Sequence, residues 1–106
     1  MPQKKTELHK LLGLARRAGK LEIGRGAVFN AIKKGKAQII IITEDASIKI
    51  YREIEHQEKK LRVLKFGRKD RLGEILGRTE VAVLAVCDSQ FAKAFIKIMA
   101  VNHISV

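Results

Sequence analysis

Apolar and polar positions change their spacing several times along the chain, and each change marks an element. Leu8, Leu11, Leu12, Ala15 and Ala18 follow the i, i+3, i+4, i+7 rule of one helix face. Thr6 offers a side-chain cap at the start of that helix, and Gly19 a stop. The segment "KLEIG", Lys20–Gly24, reads as a short strand. Helical spacing returns from Arg25 to Lys34, where Val28, Ala31 and Ile32 share a face, and Gly35 ends it. The run "AQIIIIT" is continuously apolar and β-branched. Alternation would leave one face wet, whereas continuity means that both faces are covered, as in the middle of an α/β sheet.

The second half repeats the theme. "TEDAS" is a loop, and a helix follows from Ser47 to about Lys59, burying Ile50, Tyr51 and Ile54. "LRVLKF" is a strand with partial alternation, and "RKDRLGEILG" a short helix built on Leu72, Ile75 and Leu76. "EVAVLAV" is a second buried strand. Asp88 or Ser89 caps a last helix whose apolar face is Phe91, Phe95, Ile98 and Met99, flanked by Ala92 and Ile96. The tail "VNHISV" carries no readable pattern. Strands alternating with helices predict an α/β fold. The expectation is a three-layer α/β/α sandwich with a central mixed sheet of about four strands, in one domain spanning residues 1–106.

Charge changes the picture from architecture to partner. The chain holds 22 Lys+Arg against 11 Asp+Glu, a net of +11. The excess is uneven. Residues 1–36 carry ten basic side chains and two acids, a net of +8, and the remaining seventy carry twelve and nine, a net of +3. A merely soluble basic protein needs no such pooling, but a surface for a polyanion does, so nucleic acid is the leading partner. No apolar run approaches the ~20 residues of a bilayer span, and "MPQKKTELHK" is not followed by a signal-peptide core. With a single cysteine and no internal disulfide, a cytoplasmic location is expected.

The segment "IGRGAVFNAIKKGK" concentrates this chemistry. With Val28, Ala31 and Ile32 turned to the core, Gly26, Asn30, Lys33 and Lys34 form the opposite stripe. Gly24 and Gly26 flank Arg25 at the helix start. The first N–H groups there lack intrahelical acceptors and carry the positive end of the helix dipole. Glycines let another backbone approach them, which makes a seat for phosphates. The plainer reading makes the glycines a turn and the lysines solvated charges near a helix C-terminus. The pooled charge favours phosphate binding.

Other constellations carry less. "GRG" lacks the spacing of a P-loop. His9, His56 and His103 show no metal-ligand spacing with one another or with Cys87, which reads as a small core residue. Glu44 and Asp45 read as a helix-capping loop rather than a general acid/base pair. Phe29 lies off the core stripe, placed either to pack or to touch a base. No catalytic residue, metal or cofactor is expected.

Taken together, "LLGLARRAGKL", "AIKKGKA", "ITEDAS", "LGEILG" and "VAVLAVCD-x-x-FAK" resemble the YlxQ-type ribosomal-protein-like family of the L-seven-Ae and L-thirty-e superfamily. The resemblance runs from about Leu8 to Lys93. It implies an α/β/α sandwich that binds structured RNA, ribosomal or kink-turn-like, without catalysis. In the superfamily's kink-turn readers the second helix opens with Gly-Thr-Asn-Glu and a Lys three residues on. Here Gly24 matches, Gly26 and Ala27 stand at the Asn and Glu positions, and Asn30 stands at the Lys position. The resemblance also implies a second contact loop, Arg78, Thr79, Glu80, Val81 and Ala82. The expected partner is therefore RNA, with the ribosome as its setting and the protein a monomer. The alternative is a protein-interaction adaptor of the ribosome or transcription machinery with incidental charge.

Overall fold

The computed structural model describes residues 2–57 and 61–104. Among these residues nine elements follow one another: α1 (Pro2–Arg17), β1 (Leu21–Ile23), α2 (Arg25–Lys33), β2 (Ile39–Ile42), α3 (Ile48–Gln57), β3 (Arg62–Lys65), α4 (Lys69–Leu76), β4 (Val83–Val86) and α5 (Ser89–Ile104). The strands form one sheet in the order β1-β4-β2-β3. β4 lies antiparallel to both β1 and β2, while β2 and β3 run parallel, so the sheet is mixed.

The two continuous apolar runs are the two central strands, and every residue of each is buried. Their register keeps like with like. Ile39 faces Val86 and Ile41 faces Leu84, while Ile40 faces Ala85 and Ile42 faces Val83. Side chains alternate between faces along a strand. The odd-numbered isoleucines therefore join Leu8, Leu12, Leu72, Leu76 and Phe95 under α1, α4 and α5. The even-numbered ones join Val28, Ala31 and Ile54 under α2 and α3. This is the expected three-layer sandwich. Each fully buried isoleucine contributes about 1.5–3 kcal/mol of apolar transfer, and either helical layer removed would expose one whole row.

Several boundaries move for identifiable reasons. α1 begins at Pro2 rather than at a Thr6 cap. Proline is tolerated in the first turn, where its missing N–H has no intrahelical acceptor to lose, so the helix extends one turn upstream. Ala18, assigned to its buried face, is exposed in the turn that follows. The last helix continues through the unreadable tail to Ile104. α3 is described to Gln57, so the expected end at Lys59 lies outside the described residues. Ile54 is buried as expected, whereas Ile50 and Tyr51 are half-buried.

The caps show how loops are tied together. Ser47 Oγ accepts the Ile50 amide and Asp88 Oδ2 accepts the Phe91 amide, each starting its own helix. Asp45 instead reaches across to another element. Its Oδ1 accepts the Lys69 amide at the start of α4, 3.0 Å away, and its Oδ2 lies 3.7 Å from Arg68. Desolvation pushes the Asp45 carboxyl up. The Lys69 amide, the Arg68 charge and nearby donors outweigh that and hold it below its usual value.

Gly73 fixes the segment after α4. A Cβ there would stand 2.7 Å from the Arg78 and Thr79 carbonyl oxygens and from Glu80 Cα. The 78–80 backbone thus crosses α4 at a distance that no side chain permits. A Gly73→Ala substitution gains roughly 1 kcal/mol of helix propensity but forces the crossing chain outward, at a cost of about 1–3 kcal/mol. We expect net destabilisation in urea unfolding. Gly26→Ala, where a Cβ meets nothing within 4 Å, should be neutral or stabilising.

Candidate nucleic-acid interface

One end of the sheet gathers the segments of interest. β1 runs toward this end and delivers Gly24, whose N–H donates to the Val83 carbonyl at 3.0 Å. β4 starts there, so the 78–82 segment arrives beside α2. Ala82 accepts the Thr43 amide at 2.9 Å, and the Val81 amide donates to the Lys69 carbonyl at 3.0 Å. The Arg78 amide closes onto the Gly73 carbonyl at 2.7 Å. The 78–82 segment is therefore pinned to α4, to the end of β2 and, through Val83, to the start of α2. Val81 is buried as its anchor, while Arg78, Thr79 and Glu80 face solvent.

The start of α2 is built by Gly24 at φ 98°, ψ 160°. A residue with a Cβ is strained there. Gly24 has no side chain to cap the helix, and the first backbone bond is the Val28 amide to the Gly24 carbonyl at 2.9 Å. The amides of Arg25, Gly26 and Ala27 have no acceptor among the described residues. A Cβ at Gly24 or Gly26 would meet nothing within 4 Å, so this amide cluster is open to approach. Val28 and Ala31 are buried beneath it. The stripe of Gly26, Asn30, Lys33 and Lys34 lies exposed on the other side, as its spacing requires. Lys34 is the C-cap, at the far end from the amides.

Arg25 is held differently from a solvated phosphate ligand. Its Nε and Nη2 donate to the two carboxylate oxygens of Glu53 on α3, both at 2.9 Å. Its guanidinium carbon lies 4.6 Å from the centroid of the Phe29 ring. The planar fork suits both contacts at once. The hydrogen bond to Glu53 raises the Arg25 pKa, and the reciprocal bond lowers that of Glu53. The arginine remains 55% exposed, so one edge still faces solvent. Phe29 is half-buried: it packs against the core cluster under α2 and α3, and the Arg25 guanidinium lies over its ring.

Arg25, Asn30 and Lys33 are brought together around Phe29. Asn30 and Lys33 line a depression of about 370 Å³ with Phe29 and Gln57. Arg25 lines a neighbouring groove of about 590 Å³ that also contains Phe29. Two further features were not assigned from the sequence. Arg16 Nη2 would stand 3.4 Å from a Cβ at Gly77, beside the 78–82 segment. Lys49, Arg52 and His56 of α3 face the groove beside Arg25. Their i, i+3, i+7 spacing was the available signal. Cys87 is half-buried, and desolvation pushes its thiol up, away from reactive thiolate character. No group of three or more His, Cys, Asp or Glu among the described residues is placed to hold a metal ion. No helix there is long and apolar enough to cross a membrane.

Residues 6–96 match the family described as "Ribosomal protein L7Ae/L30e/S12e/Gadd45 family". The chain belongs to that family. It is similar to the RNA-binding protein YlxQ of Bacillus subtilis (strain 168), at 32% identity over 95 residues, covering 88% of this chain and 95% of that protein. A solved structure of a Bacillus halodurans protein of unknown function superposes with a TM-score of 0.81 at 28% identity, covering 87% of this chain and 95% of that one. The Giardia lamblia 15.5kD RNA binding protein shares the fold, with a TM-score of 0.72 at 18% identity over 98% of this chain and 91% of that one. Within this L7Ae-type scaffold, the Arg25–Glu53 pair joins the start of α2 to α3.

The Glu53 carboxyl is therefore expected to titrate below its ordinary value of 4.5. Its contribution to stability is present above that value and fades as acid protonates the folded carboxyl. In an Arg25→Gln variant the Glu53 carboxyl resonance should titrate closer to 4.5. An unchanged midpoint would mean that the pair does not form in solution.

Proposed function

We propose that this chain is a non-catalytic RNA-binding protein, working in the cytoplasm on structured RNA of ribosomal or kink-turn-like type. Its interface is the start and exposed stripe of α2 (Gly24, Arg25, Gly26, Asn30, Lys33 and Lys34) together with Arg78, Thr79, Glu80 and Val81. One observation carries the reading: the Gly24 amide bonded to the Val83 carbonyl. It sets an open, uncapped helix start next to the 78–82 segment, two regions more than fifty residues apart in the chain. The pooled positive charge of the first third and the RNA-binding name of the B. subtilis relative support it. An adaptor role is not favoured, since nothing in the relatives' names points to one.

Each group has a chemical task. The amides of Arg25, Gly26 and Ala27 donate to a phosphate oxygen at the positive end of the helix dipole. Lys33 and Lys34 neutralise phosphates further along the strand. Asn30, with one donor and one acceptor group on its amide, supplies short-range hydrogen bonds. Arg25 contributes the solvent-facing edge that Glu53 leaves open. Val81 works indirectly, as the buried anchor that presents Arg78, Thr79 and Glu80.

Phosphate contacts position the RNA, and base-edge contacts specify it. Gly26 and Ala27 have no polar side chain to reach the guanines of sheared G·A pairs. The protein should therefore bind with weaker discrimination than a reader that carries Asn and Glu there.

Neutralising about three to five phosphates predicts a log K against log salt slope between about −2.7 and −4.5 on a hairpin RNA with an internal loop. Replacing Lys33 and Lys34 together by alanine should make that slope shallower by about 1.8. Affinity that ignores salt would remove the mechanism, and an unaltered slope in the double variant would move the surface elsewhere. A kink-turn and a straight duplex of equal length, titrated side by side, check the second point. We expect a weaker preference for the kink-turn than a reader with Asn and Glu shows, and a strong preference would overturn the reading of Gly26 and Ala27.

A further inference from the structure

We infer that the RNA footprint extends past α2 onto α3, where the groove between the two helices seats a few nucleotides of single-stranded RNA leaving the structured element. The inference rests on the RNA-binding reading above and adds a second, chemically distinct subsite to it. The groove has a volume of about 590 Å³. Its α3 wall is formed by residues 48, 49, 52, 53, 56 and 57, one continuous helical stripe. Nine residue steps at 1.5 Å each make a track of about 14 Å, the run of a few nucleotides.

The charge of the groove selects a polyanion. Glu53 is the only acid among the described lining residues, and both of its oxygens are already taken by Arg25. That leaves Lys49 and Arg52, both exposed and neither in an ion pair with a described residue. The walls and floor select unpaired bases. Ile48, at the start of α3, is 62% exposed and offers an apolar wall. Beside it lies the guanidinium of Arg25, stacked on Phe29 and held flat by its two bonds to Glu53. Guanidinium planes and apolar side chains are surfaces on which splayed-out bases stack. A duplex presents its bases edge-on and could not use this floor.

The groove also leads into the interface already described. The depression lined by Asn30 and Lys33 shares Phe29 and Gln57 with it. A strand lying over α2 therefore has an uninterrupted path onto α3, with cations along both rims. Glu53 acts here as a positioning residue, since it fixes the plane on which the first base stacks.

The test compares a hairpin RNA with an internal loop, with and without a short single-stranded uridine tail, on the wild-type protein and on a Lys49→Ala/Arg52→Ala variant. In the wild type the tail should raise affinity about tenfold, the effect of one stacked base. It should also steepen the salt slope by about 1.4, for two phosphates of a single strand. The variant should lose the added salt slope, bind the tailed hairpin more weakly than the wild type does, and keep wild-type affinity for the tailless hairpin, which also reports that it is folded. A tail without effect on the wild-type protein, or an added salt slope that survives in the variant, overturns this inference and leaves the α2 interface standing. Failure of the hairpin itself to bind removes the underlying reading and this one with it. A photoreactive benzoylphenylalanine in place of Ile48 gives an independent readout in cells. Crosslinks to RNA support the assignment, and crosslinks to a polypeptide or to a second copy of the chain overturn it.

Discussion

The structure depends on the antiparallel pairing of β2 with β4, two strands that are apolar on both faces. A sheet one strand deep in water could not hold them, because eight apolar side chains point alternately up and down. Both rows must be covered, so helices are required on both sides. The register that pairs Ile39 with Val86 and Ile42 with Val83 then decides which helix meets which row. A slip of one residue would turn every side chain to the other face. It would also move Val83 away from Gly24, and with it the proposed interface.

Positioning of that interface is a consequence of backbone bonding at one end of the sheet. The exposed side chains of residues 78–80 do little to hold themselves in place. They ride on the buried Val81, on three backbone bonds from its neighbours, and on the glycine of α4 that lets the chain cross closely. The helix start opposite is held by backbone bonding too. Gly24 takes a positive φ to turn the chain from β1 into α2 while its amide is spent on Val83. The proposed interface is made of a loop and a helix end, and the sheet beneath them sets their distance.

Arg25 illustrates how a charged residue in such a surface is restrained. A solvated arginine has many rotamers to lose on meeting a phosphate. Here a carboxylate grips two of its nitrogens and an aromatic ring supports its plane, so much of that entropy is lost on folding instead. The same pairing reduces its worth as a long-range cation, so in the proposed interface phosphate neutralisation falls more to Lys33 and Lys34. It also ties α2 to α3 and makes the groove between them a defined shape.

Much of this was legible in the chain itself. Spacing and continuity placed the five helices and three longer strands of the described residues, because a core-facing residue must recur with the period of its element; the short β1 had been read from "KLEIG" without such a period. Continuity of "IIII" and "VLAV" announced two covered faces, and the exposed stripe of α2 followed from the positions of Val28 and Ala31. The helix ends were less legible, since Pro2 permits an extra turn that Thr6 appeared to terminate and Asp45 caps a helix other than the one it precedes. What only the folded molecule decided were contacts between distant segments: Glu53 with Arg25, Gly24 with Val83, and α3's cations facing the same groove. Local periodicity reports which face of each element is buried, because that is a property of a few consecutive residues. It cannot report which exposed faces meet, since strand order and register fix that through hydrogen bonds between parts of the chain that share no local pattern.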